Sequence, residues 1–180
     1  PDSGGSEITA LASHAGKLLA FTESSVYELI DFSTPVPLAQ GIGCVAPRSL
    51  KALPNGSLMW LARDGFYTMS PKGQVELVSN AISKTIRNFI NKSRVRSAVA
   101  VVDPDSLEYR CAVCEAGQSS QELILTYDGR NWKRQLLGIH IADICQTDDY
   151  RQYLLAAGKD SNVIRTNEVF VMGRETSAYS

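Results

Sequence analysis

Two stretches of this chain lie over one another without a gap. Residues 8–30, ITALASHAGKLLAFTESSVYELI, match residues 48–70, RSLKALPNGSLMWLARDGFYTMS, at an offset of 40 residues. Gly16 falls on Gly56, Leu18 on Leu58, Phe21 on Leu61, Val26 on Phe66, Tyr27 on Tyr67 and Leu29 on Met69. A period of about 40 residues marks a repeat architecture, in which each unit buries its apolar surface against the next. The second copy shows what the unit is. Residues 49–53, 58–62 and 66–69 are short apolar runs, separated by Asn55-Gly56 and Asp64-Gly65 and closed by Pro71 and Gly73. Asn-Gly and Asp-Gly are the strongest two-residue hairpin signals and supply positive φ at the turn. The unit is therefore an antiparallel meander. In its middle strand Leu58, Trp60 and Ala62 face one way, and Met59 and Leu61 the other. Both faces are apolar, so both are covered. A β-sandwich strand is wet on one face; a stacked blade is not.

The rest of the chain continues the pattern. Residues 31–42, with Pro35 and Pro37 and no alternation, read as a connection between blades. Ile82, Ile86, Phe89 and Ile90 recur at helical spacing and predict one helix near 79–92, capped by Ser79 or Asn80. Residues 97–136 read as a four-stranded meander with turns at 103–106 and at Asp128-Gly129. Residues 139–172 begin a fourth unit, with a turn at Asp148-Asp149 and last strands at 163–165 and 169–172. The expected fold is all-β, a β-propeller-like array of about four meander blades (units 8–30, 48–78, 97–136 and 139–172) with one short helix. The array is either a small closed propeller or part of a larger one, and a chain opening on Pro1 fits the second.

Composition narrows function mainly by exclusion. A net charge of −1 over 180 residues makes no global electrostatic case for nucleic acid or anionic membrane. No apolar run approaches the roughly 20 residues of a membrane-crossing helix. Four irregularly spaced cysteines do not make a disulfide scaffold.

The chemistry-bearing residue types are better explained by structure. Cys111 and Cys114 have the C-x-x-C form of zinc and redox sites, yet they sit in a strand, where residues three apart face opposite ways. His14 and His140 lack a nucleophile or carboxylate at catalytic spacing. The acidic groups Asp103, Asp105, Glu108 and Asp143, Asp148, Asp149 offer calcium-type oxygens without the spacing of an EF-hand loop. Lys84, Arg87, Lys92, Arg94 and Arg96 form a basic stretch that reads as a solvated face. Thr126, Asp128, Gly129 and Trp132 give a partial Asp-box, a structural blade-turn motif of sialidase-type propellers. No catalytic, cofactor-binding or metal-binding residue is assigned, and no cofactor is expected.

The run 43–90, GCVAPRSL…PNGSLMWLARDGFYTMS…ISKTIRNFI, together with ITALASHAGKLLAFTESSVYEL upstream, resembles propeller-bearing virion proteins of tailed bacteriophages, of the tail-nozzle and head-to-tail connector kind. The resemblance covers about half the chain. It implies a non-enzymatic structural component of the virion, a rigid propeller assembled in a ring around the DNA path. Its implied partners are other virion proteins and copies of itself, with sequence-independent DNA passage and no membrane insertion. The alternatives are a carbohydrate-binding or sialidase/glycosidase-like propeller, with Arg48, Arg63 and Arg110 as candidates for an acidic substrate, and an intracellular interaction scaffold.

Overall fold

The structure is a computed structural model. It describes residues 7–31, 34–103, 105–137, 140–146, 152–157 and 168–172, with side chains as far as residue 144. The first sheet comprises β1 (Ala10–His14), β2 (Lys17–Phe21), β3 (Ser25–Ile30) and β4 (Thr34–Gln40). The second holds β5 (Lys51–Ala52), β6 (Leu58–Leu61), β7 (Phe66–Met69) and β8 (Val75–Leu77). The third holds β9 (Val99–Asp103), β10 (Glu108–Cys114), β11 (Gln121–Tyr127) and β12 (Trp132–Leu136). The fourth holds β13 (His140–Gln146), β14 (Gln152–Ala157) and β15 (Glu168–Met172). Each sheet is a meander, paired antiparallel in chain order. The first strands β5, β9 and β13 lie beside one another, so the sheets fan outward from them.

Stacking is carried by three apolar layers. The first sheet meets the second through Leu19, Phe21 and Val26 against Leu58, Trp60, Tyr67 and Met69. The second meets the third through Met59, Leu61 and Phe66 against Tyr109, Cys111, Val113, Leu123 and Leu125. The third meets the fourth through Val99, Val101, Ala112 and Ile124 against Ile141 and Ile144. Trp60 and Leu61 are neighbours in sequence and lie in different layers, yet they are 0% and 1% exposed. The two-sided apolarity of the middle strand is thus what places its sheet between two others.

The repeat holds in the strand ladder. Ala20 pairs with Tyr27 and Phe21 with Val26; forty residues on, Trp60 pairs with Tyr67 and Leu61 with Phe66. Gly16 and Gly56 are both left-handed, at φ 77° and 79°. Their hairpins differ by one residue. His14 pairs with Lys17 around Ala15-Gly16. The Leu53 N–H instead donates to Ser57 O, and Asn55-Gly56 belongs to a three-residue loop with Pro54.

Five expectations need correction. The segment 31–42 is not merely a connection, because β4 lies within it; the first unit runs to Gln40 rather than residue 30. Pro35 and Pro37 are tolerated because β4 is an outermost strand, where a missing N–H can face the open side. A fourth strand, β8, follows Pro71 and Gly73. The α-helix, α1 (Ser83–Phe89), is shorter than the expected 79–92 and is preceded by a 3-10 turn, Asn80–Ile82. Ser79 does not cap it, since its Oγ accepts the N–H of Phe66 at 2.9 Å. Finally, Gly65 does not adopt positive φ. It is needed for space, because a Cβ there would lie 2.4 Å from Ser79 Oγ. The expected turn at Asp148-Asp149 and strand at 163–165 lie outside the described residues.

Candidate functional site

Antiparallel order puts the inter-sheet linkers and the β2–β3, β6–β7 and β10–β11 turns at one end of the fan, the linker face. The β1–β2, β3–β4 and equivalent turns lie at the other, the far face. The stretch 43–49 sits on the linker face, and its residues act on backbone. A Cβ on Gly43 would lie 2.3 Å from Thr22 O, so only glycine lets the linker pass the first sheet's turn. The Cys44 N–H donates to Thr22 O at 2.8 Å, and the Val45 N–H to Leu61 O at 3.1 Å. The Trp60 indole N–H donates to Gly43 O at 3.1 Å. Ser49 Oγ donates to Ala46 O at 2.6 Å and accepts from Leu61 N–H at 2.9 Å. The buried Tyr109 hydroxyl donates to Ser49 O at 2.7 Å. Seven residues therefore tie three sheets together through hydrogen bonds that satisfy buried backbone.

The other singled-out residues are mostly occupied in the same way. His14 Nε2 lies 2.9 Å from Ser70 O, joining the first two sheets. Cys111 and Cys114 are both buried, and Cys44, Cys111 and Cys114 are free thiols. Burial pushes the Cys44 thiol up to about 11 and Cys111 to about 12, the opposite of a reactive or metal-binding thiolate. Among the described residues no cluster has the makings of a metal site.

Asp103 accepts the N–H groups of Asp105 and Ser106 at 3.0 and 3.3 Å. Glu108 pairs with Arg110 at 2.7 Å and Lys133 at 3.0 Å. Burial alone would raise these carboxyls. Hydrogen bonds from Ser106 and Asp105, with Arg110 nearby, hold Asp103 below its ordinary value, and Arg110 with Lys133 do the same for Glu108. This acidic cluster is an ion-pair network.

Arg48, Arg63 and Arg110 do not form one anion-binding group. Arg48 pairs with Asp143, Arg63 with Glu23 at 3.5 Å, and Arg110 with Glu108. The basic side chains Lys84, Arg87, Lys92, Arg94 and Arg96 are exposed, with Lys92 on Arg63 O and Arg96 on Glu7. The Asp-box residues build a turn: Asp128 Oδ1 accepts from Arg130 and Asn131 N–H, and the Trp132 indole donates to Val78 O at 2.9 Å. His140 is half-buried, and Asp148 and Asp149 lie outside the described residues.

One feature did not stand out in the sequence. The layer between the second and third sheets is apolar toward the linker face at Leu61 and Phe66, and becomes polar toward the far face at Thr68 and Glu76. There the two sheets part around a cleft of about 370 Å³, walled by the second sheet on one side and by Leu107, Tyr127 and Asp128 on the other. That volume falls within the roughly 300–1,000 Å³ of small-ligand pockets.

No family model matches the chain, and no curated protein matches its sequence. Solved structures do. One is the extracellular domain of a protein described as a one-component system from B. thetaiotaomicron, with a TM-score of 0.61 and 9% identity over 98% of this chain and 22% of that one. Another is catalytically inactive virginiamycin B lyase from Staphylococcus aureus with quinupristin, with a TM-score of 0.51 and 10% identity over 99% of this chain and 59% of that one. A streptogramin B lyase gives a TM-score of 0.50 and 13% identity over 99% of this chain and 57% of that one. The chain thus spans between about a fifth and three-fifths of the length of these structures. At such identities the likeness defines the fold. The chain has a mostly antiparallel β-propeller fold, with four meander sheets and one short α-helix among the described residues.

Proposed function

We propose that this chain is a structural propeller unit that works by assembly, as a virion component of the tail-nozzle or neck kind that the sequence of residues 43–90 resembles. One observation carries the assembly reading. Leu58, Trp60, Tyr67 and Met69 bury the face of the second blade that meets the first. Their repeat equivalents, Leu18, Ala20, Tyr27 and Leu29, form the face of the first blade that points away from the second. No apolar layer among the described residues covers that face, and Leu11 on it is 57% exposed. It is a blade-binding face by internal homology, with Ala20 buried at its centre and Leu11 exposed beside it. A second copy of this chain supplies the blade that fills it. Two copies of four blades give eight, within the usual range for propellers.

Three further features support a structural role. The resembling motif residues hold backbone in place; Arg48, Arg63 and Arg110 are each paired with carboxylates; and the basic segment on the linker face suits protein surfaces or sequence-independent passage of DNA. The test is mass measurement by analytical ultracentrifugation across a concentration series, combined with imaging. The expected result is a ring-forming oligomer that Tyr27→Glu dissociates while its circular dichroism spectrum stays that of the folded chain and its melting temperature becomes independent of concentration. A species that stays monomeric at high concentration, or association indifferent to Tyr27→Glu, would refute self-assembly through this face. A virion position is tested separately, by tracing this chain in an imaged particle.

A further inference from the structure

We propose that the cleft between the second and third blades binds a primary ammonium group, carried by a small amine or by a lysine side chain of a partner. The argument starts from unsatisfied acceptors. Ser57 lines the cleft and is only 9% exposed, yet its hydroxyl has no hydrogen-bond partner among the described residues. Buried hydroxyls are normally partnered. Thr68 and Glu76 also line the cleft; among the described residues neither side chain has a hydrogen bond or ion pair, and Glu76 acts on the Tyr127 hydroxyl only electrostatically. They are next to one another in the ladder, where Thr68 pairs with Glu76 across β7 and β8. Three acceptors thus converge on one space, and an ammonium has three N–H donors.

The charge points the same way. The cleft is lined by two carboxylates, Glu76 and Asp128, and by no Lys, Arg or His. Hydrogen bonds from Asn131 and Arg130 N–H hold Asp128 ionised, below its ordinary value. The nearby Lys133 is engaged with Glu108 at 3.0 Å. The first blade shows the contrast. There the repeat equivalents of Ser57 and Thr68 are Lys17 and Glu28, which neutralise each other at 2.8 Å. Between the second and third blades Glu76 has no ion-pair partner among the described residues, Asp128 is offset only in part by Lys133, and the Tyr127 ring beside them favours a cation.

The test uses the whole chain and amide chemical shifts. Titration with 1,5-diaminopentane should give saturable shifts at Ser57, Thr68, Glu76 and Tyr127, absent with 1,5-pentanediol. Glu76→Gln, an exposed and conservative change, should weaken binding roughly tenfold, the loss of one charge-assisted hydrogen bond. Nα-acetyl-lysine amide separates the sources: binding tighter than the diamine favours a partner lysine, and weaker binding favours a free amine. Equal response to the diol, shifts scattered over acidic residues outside the cleft, or insensitivity to Glu76→Gln would overturn the assignment. This site does not depend on blade assembly, so Tyr27→Glu should leave it unchanged.

Discussion

Gly43→Ala tests the linker clamp directly. The added Cβ would lie 2.3 Å from Thr22 O, 2.4 Å from Glu23 C and 2.4 Å from Ser24 N. All three are backbone atoms, so no side-chain rotation relieves the clash. The linker must retreat by about 1 Å from a close-packed turn. Overpacking of this kind costs about 1–3 kcal/mol. The Cys44 N–H to Thr22 O bond crosses the same gap, and losing it adds about 1 kcal/mol. Alanine returns about 0.4–1 kcal/mol by restricting the unfolded chain, since φ at Gly43 is not left-handed. The net expectation is a loss of about 1–4 kcal/mol, or a fall in Tm of about 2–14 °C for a domain this size.

Urea unfolding followed by circular dichroism gives the energy, with an unchanged slope and a lower midpoint. Indole fluorescence in a Trp132→Phe background reports Trp60, whose indole donates to Gly43 O. Gly41→Ala is the control. Gly41 is left-handed at φ 77° with nothing within 4 Å of a new Cβ, so its cost is backbone strain of about 1–2 kcal/mol with Trp60 undisturbed. If Gly43→Ala is neutral, or perturbs Trp60 no more than Gly41→Ala does, the close-approach argument fails.

Trp60→Ala should cost about 3–5 kcal/mol in the same unfolding assay, because Trp60 is fully buried between Phe21 and Tyr67. Leu107 is left-handed at φ 57° with its side chain 56% exposed; Leu107→Gly should stabilise by about 0.5–1 kcal/mol in a thermal melt, the relief of strain exceeding the added entropy of the unfolded chain. Asp103 and Glu108 titrate lower in the folded protein than their ordinary 3.8 and 4.5. Their stabilisation is complete above those ordinary values and is lost as pH falls through the depressed ones. Stability against pH should therefore drop more steeply below about 4.5 in the native protein than in Glu108→Gln. Buried Cys44 and Cys111 should react with a thiol reagent at pH 8 only as the protein unfolds, and chelators should leave the melting curve unmoved; fast labelling or a chelator-induced shift would contradict the reading of these thiols as packing groups.

The sequence made the meander and its period legible because they rest on local signals. Gly16 and Gly56 mark corresponding turns, both at positive φ though one residue different in length, and Trp60 beside Leu61 betrays a sheet covered on both faces. It concealed β4, because Pro35 and Pro37 argue against a strand unless that strand is known to be an edge, which is a tertiary fact. Ser79 misled for a similar reason. As a residue before a helix it reads as a cap, and only the fold brings Phe66 N–H and Gly65 against it. The cleft was the hardest to see, since Ser57, Thr68 and Glu76 come from one blade and Tyr127 and Asp128 from the next. The one local sign was Glu76, an ion in a strand whose alternate positions otherwise pack. The motif 43–49 stood out in sequence without showing its role, because what it contacts is backbone from sheets on either side.

The three separate apolar layers have a mechanical consequence. Each blade is held by its own ladder and by contacts to its immediate neighbours, with no common core running through all four among the described residues. Pulled from its two ends, such a chain should give way in instalments rather than all at once. Each event would release a sheet and its linker, about 40 residues or roughly 14 nm of contour at about 3.5 Å per residue. In an optical trap this reads as a sawtooth of near-equal steps. The blade clamped on both sides by the Gly43 linker and by Ser79 should be among the last to yield.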